Sequence, residues 1–505
     1  MRVQTEVEND SDEEKEVQVF HKVTDADGKT VAEFASETAT VAAGETAVLD
    51  AVSRQISGIE LWSPQHPYLY KVYTTVTSGG VQTDVYESSF GFRWAQYKND
   101  GFYLNGEKVL LDGANAHQDH AGFADAVTDE GLYRDVAMIK ECGMNFIRGS
   151  HYPHDPSYAK ACDELGILFW SECNFWGMGG SAGKDADAAM SASDWFKDAY
   201  PQNPEDEEAF ENSCLESLEA MIRVNRNHPS IINWSMGNEV FFTASGTQNK
   251  AKALVNKMRN RAHELDPTRK AGMGGCQREG YDSLEICDIA GYNGDGGKFE
   301  NNWMPNVVAE YGSKVQDRPG EYRPYYDQIQ GGSVEEYTLK TGSAGLSLWC
   351  AFHHGTIGGD GLAKMGIIDY YRLPLNTWYW YREKNTGVAR EASVSGTAER
   401  MEITASDTEI TNDGKKDTKL TITMLDQDGN WVSDTRKVTL TVKEGPGILP
   451  GGKTYTFTPD KSMRDGKASI EFRSFYEGTT VISAEAEGLP EATITIQTRD
   501  TTGTD

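Results

Sequence analysis

The central part of the chain, roughly residues 93–386, alternates short apolar runs with helical patterns, and this alternation strongly constrains the fold. Short apolar runs bounded by turn residues are typical of strands buried on both faces of a parallel sheet. Eight runs of this kind occur in order: KVLLDGANAH, NFIRGSH, ILFWSECN, IINWSMGNE, KAGMGG, DIAGYN, NVVAEYG and GLSLWCAF. Eight strands with helical segments between many of them predict a (β/α)₈ TIM barrel.

A doubly wound open sheet is the alternative for the same alternation. Such sheets usually carry a glycine-rich phosphate turn between a strand and a helix. The sequence has no such turn in that context, which favours the barrel.

The two flanks of this region have a different pattern, with apolar and polar residues alternating in short segments separated by turn clusters. That period of two predicts antiparallel β-sandwiches. We therefore expect three domains: a β-sandwich over residues 1–92, a barrel over residues 93–386 and a second sandwich over residues 387–505.

In a TIM barrel the chemistry gathers at the carboxyl ends of the strands. Seven of the eight runs end in residues that can bind or react. In chain order these are Asn115 and His117; Arg148, Ser150 and His151; Glu172 and Asn174; Asn238 and Glu239; Tyr292 and Asn293; Glu310 and Tyr311; and Trp349, followed by His353 and His354.

Two carboxylates stand out among these endings, Glu239 after the fourth run and Glu310 after the seventh. A retaining glycosidase needs two carboxyl groups about 5–5.5 Å apart, one ionised nucleophile and one proton donor. The alternative is that each glutamate forms a structural ion pair with an arginine. The pair together, with Asn238 beside one and Tyr311 beside the other, favours catalysis.

Several segments carry a family resemblance. RNHPSIINWSMGNE and NVVAEYG resemble the acid/base and nucleophile segments of glycoside hydrolase family two, which includes β-galactosidases, β-glucuronidases and β-mannosidases. LWSPQHPYLY, FYLNGEKVLLDGANAHQDH, NFIRGSHYPHDPSYAKACDELGI and GIIDYYRLPLNTWYWYREK resemble further parts of it, in order. The resemblance implies a TIM barrel between an immunoglobulin-like sandwich and a C-terminal bacterial immunoglobulin-like sandwich, without the usual N-terminal jelly-roll domain.

The resemblance also implies roles for the catalytic residues. Glu239 would be the general acid/base and Glu310 the nucleophile. Asn238 would bond the sugar 2-hydroxyl, and Arg148 would keep Glu310 ionised, because a nearby positive charge lowers the pKa of a carboxyl group. Either Tyr292 or Tyr311 would donate to the nucleophile.

The remaining site residues would bind the sugar. His117 and His151 would hold sugar hydroxyls, and Trp349 would stack on the sugar ring. Asn174 is also expected to bind substrate. The alternative for each histidine is a structural residue paired at a polar barrel mouth.

Departures from the family pattern narrow the substrate. Ala116 stands where β-galactosidases carry an arginine, and Trp176 and Met178 replace the residues that hold magnesium. We therefore expect no metal and no cofactor. Asp360 and Lys364 match poorly the pair with which β-glucuronidases grip a carboxylate. ANAHQDHAGF and GIIDYYRLPLN resemble a branch of the family that contains β-galactosidases of polysaccharide-degrading bacteria, which favours an exo-acting β-galactosidase, with a β-glucuronidase or β-galacturonidase as the alternative.

The region around the pocket leaves two questions open. Without a jelly-roll domain, the pocket would be wider, completed by another subunit, or broken because the chain is a fragment. The insert 177–195 could fold over the barrel mouth, or it could be a surface loop.

Two other classes compete with the glycosidase. HQDH, HYPH and the later His pair could be metal ligands of a barrel hydrolase, although the proline in HYPH forbids a regular helix there. A carbohydrate-binding protein with a vestigial barrel is the non-catalytic alternative, and the two intact glutamates count against it.

The net charge and the cysteine content limit which partners and which cellular compartment can be expected for the protein. The net charge of −30 argues against nucleic acid and anionic membranes as partners. Seven cysteines without a C-x-x-C motif predict buried free thiols in a reducing compartment. We expect a cytoplasmic protein, or a periplasmic or secreted one if a leader was removed. The expected partner is an oligo- or polysaccharide β-glycoside, and a homo-oligomer stays open.

Overall fold

The computed structural model describes residues 1–176, 199–276, 279–293, 303–325, 342–356 and 361–501. Three strand-rich or barrel units follow one another along the chain. All seven cysteines are buried and free, as the sequence predicts. No helix within the described ranges is long and apolar enough to cross a bilayer.

The N-terminal unit is a β-sandwich. Its strands are β1 (Arg2–Glu8), β2 (Lys15–Thr24), β3 (Thr30–Ala35), β4 (Ala39–Val41), β5 (Thr46–Val52), β6 (Tyr70–Ser78) and β7 (Val81–Phe90). One sheet pairs β1 with β5, and the other has the order β3-β2-β6-β7 with β4 also on β2. Alternate residues of β2 are buried, and Val17 and Val19 pack with Val41 and Leu49 between the sheets.

A small sheet follows and covers the amino-terminal end of the barrel. Its strands are β8 (Ala95–Lys98), β9 (Gly101–Leu104) and β10 (Glu107–Val109). Tyr97, Phe102 and Leu104 pack with Leu111 and Phe146, which begin barrel strands. This apolar contact closes the lower end of the barrel and leaves the opposite end for chemistry.

The barrel is confirmed, with eight parallel strands closed in chain order. Each strand coincides with one predicted apolar run. They are β11 (Leu111–Ala116), β12 (Phe146–Gly149), β13 (Leu168–Trp176), β14 (Ile231–Asn238), β15 (Lys270–Gly274), β16 (Ile289–Asn293), β17 (Asn306–Gly312) and β18 (Gly345–Trp349).

The helices surround the barrel with their apolar faces inward. In the described part of the chain they are α1 (Asp129–Glu141), α2 (Pro156–Leu165), α3 (Glu207–Asn225), α4 (Gln248–Leu265) and α5 (Asn376–Thr386), with a 3₁₀ turn at Pro204–Asp206 before α3. Local signals set the bounds of α2. The Asp155 side chain caps its first turn, Pro156 opens it, and Gly166 ends it in a left-handed conformation.

The C-terminal unit is a second sandwich, preceded by the short hairpin β19 (His354–Gly355) and β20 (Leu362–Ala363). Its strands are β21 (Arg400–Ala405), β22 (Glu409–Thr411), β23 (Thr418–Leu425), β24 (Val438–Glu444), β25 (Thr454–Phe457), β26 (Lys467–Phe472), β27 (Gly478–Ala486) and β28 (Ala492–Arg499). They form two sheets with the orders β21-β23-β26 and β22-β28-β27-β24-β25. The flanking sandwiches are thus confirmed as strand-rich units, and the domain limits stay predictions.

Buried charges join the barrel to the C-terminal sandwich. His120 lies between Asp135 of α1 and Glu471 of β26, at 2.9 Å and 2.5 Å. Arg134 bonds Glu471 at 3.2 Å and Asp417 at 2.7 Å. Burial opposes the ionised form of Glu471, yet His120 and Arg134 hold the pKa of its carboxyl down to about 2.

We expect Glu471→Gln to destabilise the protein by about 3–5 kcal/mol, because the change breaks a buried network of charges and leaves His120 and Arg134 with one carboxylate each. Glu409→Gln is the matched control, since Glu409 pairs with Arg499 on the exposed edge of the same sandwich. That change is expected to alter stability by less than about 1 kcal/mol. Denaturant unfolding of the full chain measures both, and equal midpoints would contradict a structural role for the buried pair.

Candidate active site

Arg148, at the end of β12, is the centre of the barrel mouth, and it is fully buried. Its Nη1 donates to Glu310 Oε1 at 2.7 Å. Its Nε and Nη2 donate to Glu172 Oε2 at 2.9 Å and 2.8 Å. One guanidinium therefore compensates two carboxylates that come from different strands.

Glu172 is the permanent counterion of this arginine. Its oxygens also accept hydrogen bonds from the Ser235 hydroxyl and from His151 Nδ1, both at 2.8 Å. Burial would raise the pKa of Glu172, but Arg148 and these donors hold it below its usual range. Because both of its oxygens are used in these hydrogen bonds, the carboxyl group of Glu172 orients Arg148 and His151 and is not placed to bind substrate.

The neighbouring strands leave space for the guanidinium. A Cβ on Gly274 would lie 2.2 Å from Arg148 Nη2 and 2.5 Å from Asn238 Oδ1, so only glycine fits at the end of β15. Asn115 accepts from Arg148 Nη1 at 3.0 Å and donates to the carbonyl of Ala309 at 2.8 Å. These contacts fix the arginine before any substrate binds.

A continuous path of hydrogen bonds joins the two candidate catalytic carboxylates. Asn238 Oδ1 accepts from Arg148 Nη2 at 2.8 Å and from Asn293 Nδ2 at 2.9 Å. Asn293 Nδ2 also donates to Glu239 Oε1 at 3.1 Å. The path therefore runs from Glu310 through Arg148, Asn238 and Asn293 to Glu239.

The backbone of Glu239 is unusual. Its φ is +51°, a left-handed conformation that non-glycine residues rarely adopt and that clusters at functional sites. Its backbone N–H donates to the carbonyl of Gly274 at 3.0 Å, which holds the residue at the end of β14. Adjacent Asn238 and Glu239 therefore both belong to the site, where regular strand alternation would separate them.

Glu310 is nearly buried, with 12% of its side chain exposed. Burial raises the pKa of its carboxyl, Arg148 opposes that rise, and the negative charge of Glu239 adds to it, which leaves the pKa at about 8. Glu239 therefore lies near enough to Glu310 for its charge to act on that carboxyl.

Two indole rings enclose His151. The Trp349 ring is 5.0 Å from it at an interplanar angle of 10°, and the Trp176 ring is 5.9 Å from it at 11°. Burial lowers the pKa of His151 to about 4, so the ring is neutral near pH 7. A neutral ring that donates from Nδ1 to Glu172 keeps a lone pair at Nε2, which lies 3.8 Å from Glu310 Oε1.

His117 lines the same mouth. Its ring stacks on His354 at 4.2 Å and meets Trp349 edge-on at 5.7 Å. Burial, and then the neighbouring positive charges, hold the pKa of His117 well below its usual value. It therefore offers the pocket a neutral ring with hydrogen-bonding nitrogens.

Three of the residues that the sequence analysis expected in the site do not make the contacts expected of them. Asn174 is exposed at the rim, where its amide oxygen lies 3.5 Å from Cys173 Sγ. The hydroxyl of Tyr292 donates to Asp282 at 3.4 Å, and that of Tyr311 meets Tyr381 of α5 at 3.2 Å. In the described part of the chain, neither tyrosine forms the expected bond to Glu310.

The other seven predicted residues do meet at the mouth. Glu172 and Asn293, to which the sequence analysis gave no role beyond that of polar strand endings, join them, and so does Trp176. Each of the three stands at or near the carboxyl end of a predicted strand, which was the available signal.

The two histidines of HQDH, and those of HYPH, contact different parts of the structure. His117 faces the mouth and His120 the C-terminal sandwich, while His154 Nε2 lies 3.0 Å from the carbonyl of Ala116. Among the described residues there is no cluster of three or more His, Cys, Asp or Glu that could hold a metal. The insert 177–195, with Met178, and Asp360 lie outside the described residues.

Two family models match the chain. "Glycosyl hydrolases family 2" matches residues 1–93, and "Glycosyl hydrolases family 2, TIM barrel domain" matches residues 96–344. Together they span both the N-terminal sandwich and most of the barrel.

The chain is also similar to individual proteins of this family, in sequence and in structure. A β-galactosidase of Thermoanaerobacterium thermosulfurigenes is 29% identical over 390 residues, which are 72% of this chain and 48% of that protein. A family 2 member from Bacteroides cellulosilyticus superposes with a TM-score of 0.74 at 18% identity, covering 99% of this chain and 76% of that one. For a Bacteroides uniformis β-glucuronidase the TM-score is 0.64 at 22% identity, with 99% and 59% covered. These two structures show a shared fold, and the chain spans about half the length of the curated relative.

Proposed function

Residues 1–344 belong to glycosyl hydrolase family 2, and on this premise we propose that the protein is a retaining β-glycosidase. The observation that carries the proposal is the hydrogen-bond path from Glu310 through Arg148 to Glu239. It holds two carboxylates from opposite sides of the barrel at one mouth, which is the arrangement that double displacement requires.

In the first step Glu310 attacks the anomeric carbon while Glu239 protonates the leaving oxygen. In the second step Glu239 takes a proton from the water that attacks the glycosyl–Glu310 ester and releases the sugar. Asn238 Oδ1 already accepts from two donors, so its Nδ2, which lies 3.5 Å from His151 Nε2, is the group that would donate to the sugar 2-hydroxyl. Trp349 and the neutral rings of His117 and His151 supply the remaining contacts with the sugar.

The nucleophile must be ionised, whereas the pKa of Glu310 is raised to about 8, chiefly by burial. We assign this role to Glu310 because Arg148 contacts it directly at 2.7 Å. The transition state also carries positive charge at the anomeric carbon, which stabilises an adjacent carboxylate. When substrate is bound, Glu310 must therefore be ionised, and Glu239 must carry the one proton that the two carboxyl groups hold.

The proposed substrate is a β-galactoside, from whose chain end the protein releases galactose, a neutral sugar. A uronide needs a free cation for its carboxylate, and Arg148 is already bonded to two glutamates. The ammonium of Lys364 lies 3.1 Å from Asp317 Oδ2, so it too has a carboxylate partner. The second candidate is a uronide, which the 32% identity over 285 residues with a putative β-glucuronidase of Formosa agariphila supports.

A panel of p-nitrophenyl β-glycosides tests the proposal: galactoside, glucuronide, galacturonide, glucoside, mannoside and arabinoside. Glu310→Gln is the blank for each. Release of p-nitrophenol from the galactoside alone, dependent on Glu310, is the expected result. A glucuronide signal would select the second candidate, and release that persists in Glu310→Gln would refute the mechanism.

The pH dependence of nucleophile labelling is a separate expectation. An activated 2-fluoro β-glycoside needs no proton donor, so its rate of covalent attachment follows the ionised fraction of Glu310. In the wild type this rate should rise with pH through a limb near pH 8. In Glu239→Gln the neighbouring negative charge is gone, so the pKa of Glu310 falls and the limb moves to lower pH. An unmoved limb would show that the two carboxyls do not interact.

A further inference from the structure

The Trp176 ring stands at the outer end of a stack of three parallel rings. Trp349 is 8% exposed at the inner end, His151 lies between the indoles, and Trp176 is 36% exposed. The sequence predicts only that Trp176 stands where a magnesium ligand would be. An exposed, flat apolar surface at the rim of a polar pocket is available for a ligand.

The position of Trp176 relative to the acid/base is set by strand pairing. Trp176 of β13 pairs with Asn238 of β14, and Asn238 directly precedes Glu239. The register of these strands shifts between Glu172 and Phe175, an irregularity that re-aims the end of β13. Trp176 therefore lies on the side of the pocket where Glu239 protonates the leaving oxygen.

Resting on the proposed function, we infer that Trp176 is the stacking surface for the leaving group, a sugar or aryl ring. The sugar being cleaved occupies the inner pocket beside Trp349 and His117, and the departing ring projects outward across the Trp176 indole. Trp176 would thus be a specificity residue for the leaving group and would not take part in the bond changes.

The same surface serves the reverse direction. When a sugar acceptor replaces water, the acceptor oxygen bonds the anomeric carbon as the ester bond to Glu310 breaks, and the acceptor hydroxyl proton passes to Glu239. A residue that holds the leaving sugar must also hold the acceptor sugar. Loss of Trp176 should therefore lower the ratio of transfer product to hydrolysis product.

The test compares substrates with and without a leaving-group ring. For Trp176→Ala, kcat/KM on the β-linked disaccharide should fall about ten-fold, the size of one aromatic stacking contact. On the β-glycosyl fluoride of the same sugar, kcat/KM should be unchanged. Trp176→Phe, which keeps a flat ring, should retain most of the activity on the disaccharide.

Trp94→Ala is the matched control, because Trp94 is an exposed indole beside the small sheet at the opposite end of the barrel. It should change neither substrate. Equal losses on the fluoride and the disaccharide in Trp176→Ala would overturn the inference, since Trp176 would then act through His151. No loss on either would also overturn it. A wild-type protein that hydrolyses neither substrate would refute the proposed function itself.

Discussion

Replacing Glu310 by glutamine is expected to lower kcat by about 10⁴-fold or more on every β-glycoside that the protein hydrolyses. An amide does not form the glycosyl ester, so the first displacement has no nucleophile. Arg148 remains compensated in the variant, because Glu172 contacts it through both oxygens. The loss should therefore be chemical, with the fold intact.

Folding can be checked independently of activity. The pKa of Glu310 is raised by burial, which means that its ionised form is disfavoured where it lies. Glu310→Gln should consequently be at least as stable as the wild type in denaturant unfolding. Glu264→Gln, the same change on the exposed surface of α4, controls for the lost charge and should keep full activity.

Product stereochemistry identifies which glutamate is the nucleophile. With Glu310→Ala, azide can enter the vacated space and attack the anomeric carbon directly, giving an α-glycosyl azide from an activated β-glycoside. Nuclear magnetic resonance of the product distinguishes the two anomers. A β-glycosyl azide from this variant would reverse the roles that we assign to Glu310 and Glu239.

The barrel could be predicted from the sequence because its strands are buried on both faces and appear as short apolar runs. All eight runs became strands in the expected order, and the polar residues at their carboxyl ends marked the mouth. Arg148, Asn238, Glu239 and Glu310 were found in this way. Their mutual hydrogen bonds depend on side-chain directions, which the apolar pattern alone does not give.

Tyr292 and Tyr311 show why the direction of a side chain is harder to predict from the sequence than the position of a strand. Successive residues of a strand point to opposite faces, so with Asn293 facing the barrel interior, Tyr292 faces outward. In β17 the pairing with β18 shifts register between Val308 and Tyr311, a β-bulge that accompanies the inward Glu310 and the outward Tyr311. Bulges at the site also interrupt β13 and β14, and no residue pattern in the sequence announces them.

Replacing Glu239 by glutamine should produce a loss that depends on the leaving group. For a disaccharide, whose leaving oxygen needs a proton, kcat/KM should fall by about 10²–10⁴-fold. For a 2,4-dinitrophenyl glycoside, whose leaving group departs as a stable anion, formation of the glycosyl–Glu310 ester should be nearly unaffected. Burst-phase kinetics with the dinitrophenyl substrate measures that step directly.

The second half of the reaction gives an independent result for Glu239. Without a general base the ester breaks down slowly, so the burst should be followed by a low steady-state rate. In Glu239→Ala, azide needs no base and should raise that rate while giving a β-glycosyl azide, because two displacements retain the configuration. Equal losses on both leaving groups, with no effect of azide, would mean that Glu239 positions Asn293 and Asn238 and transfers no proton.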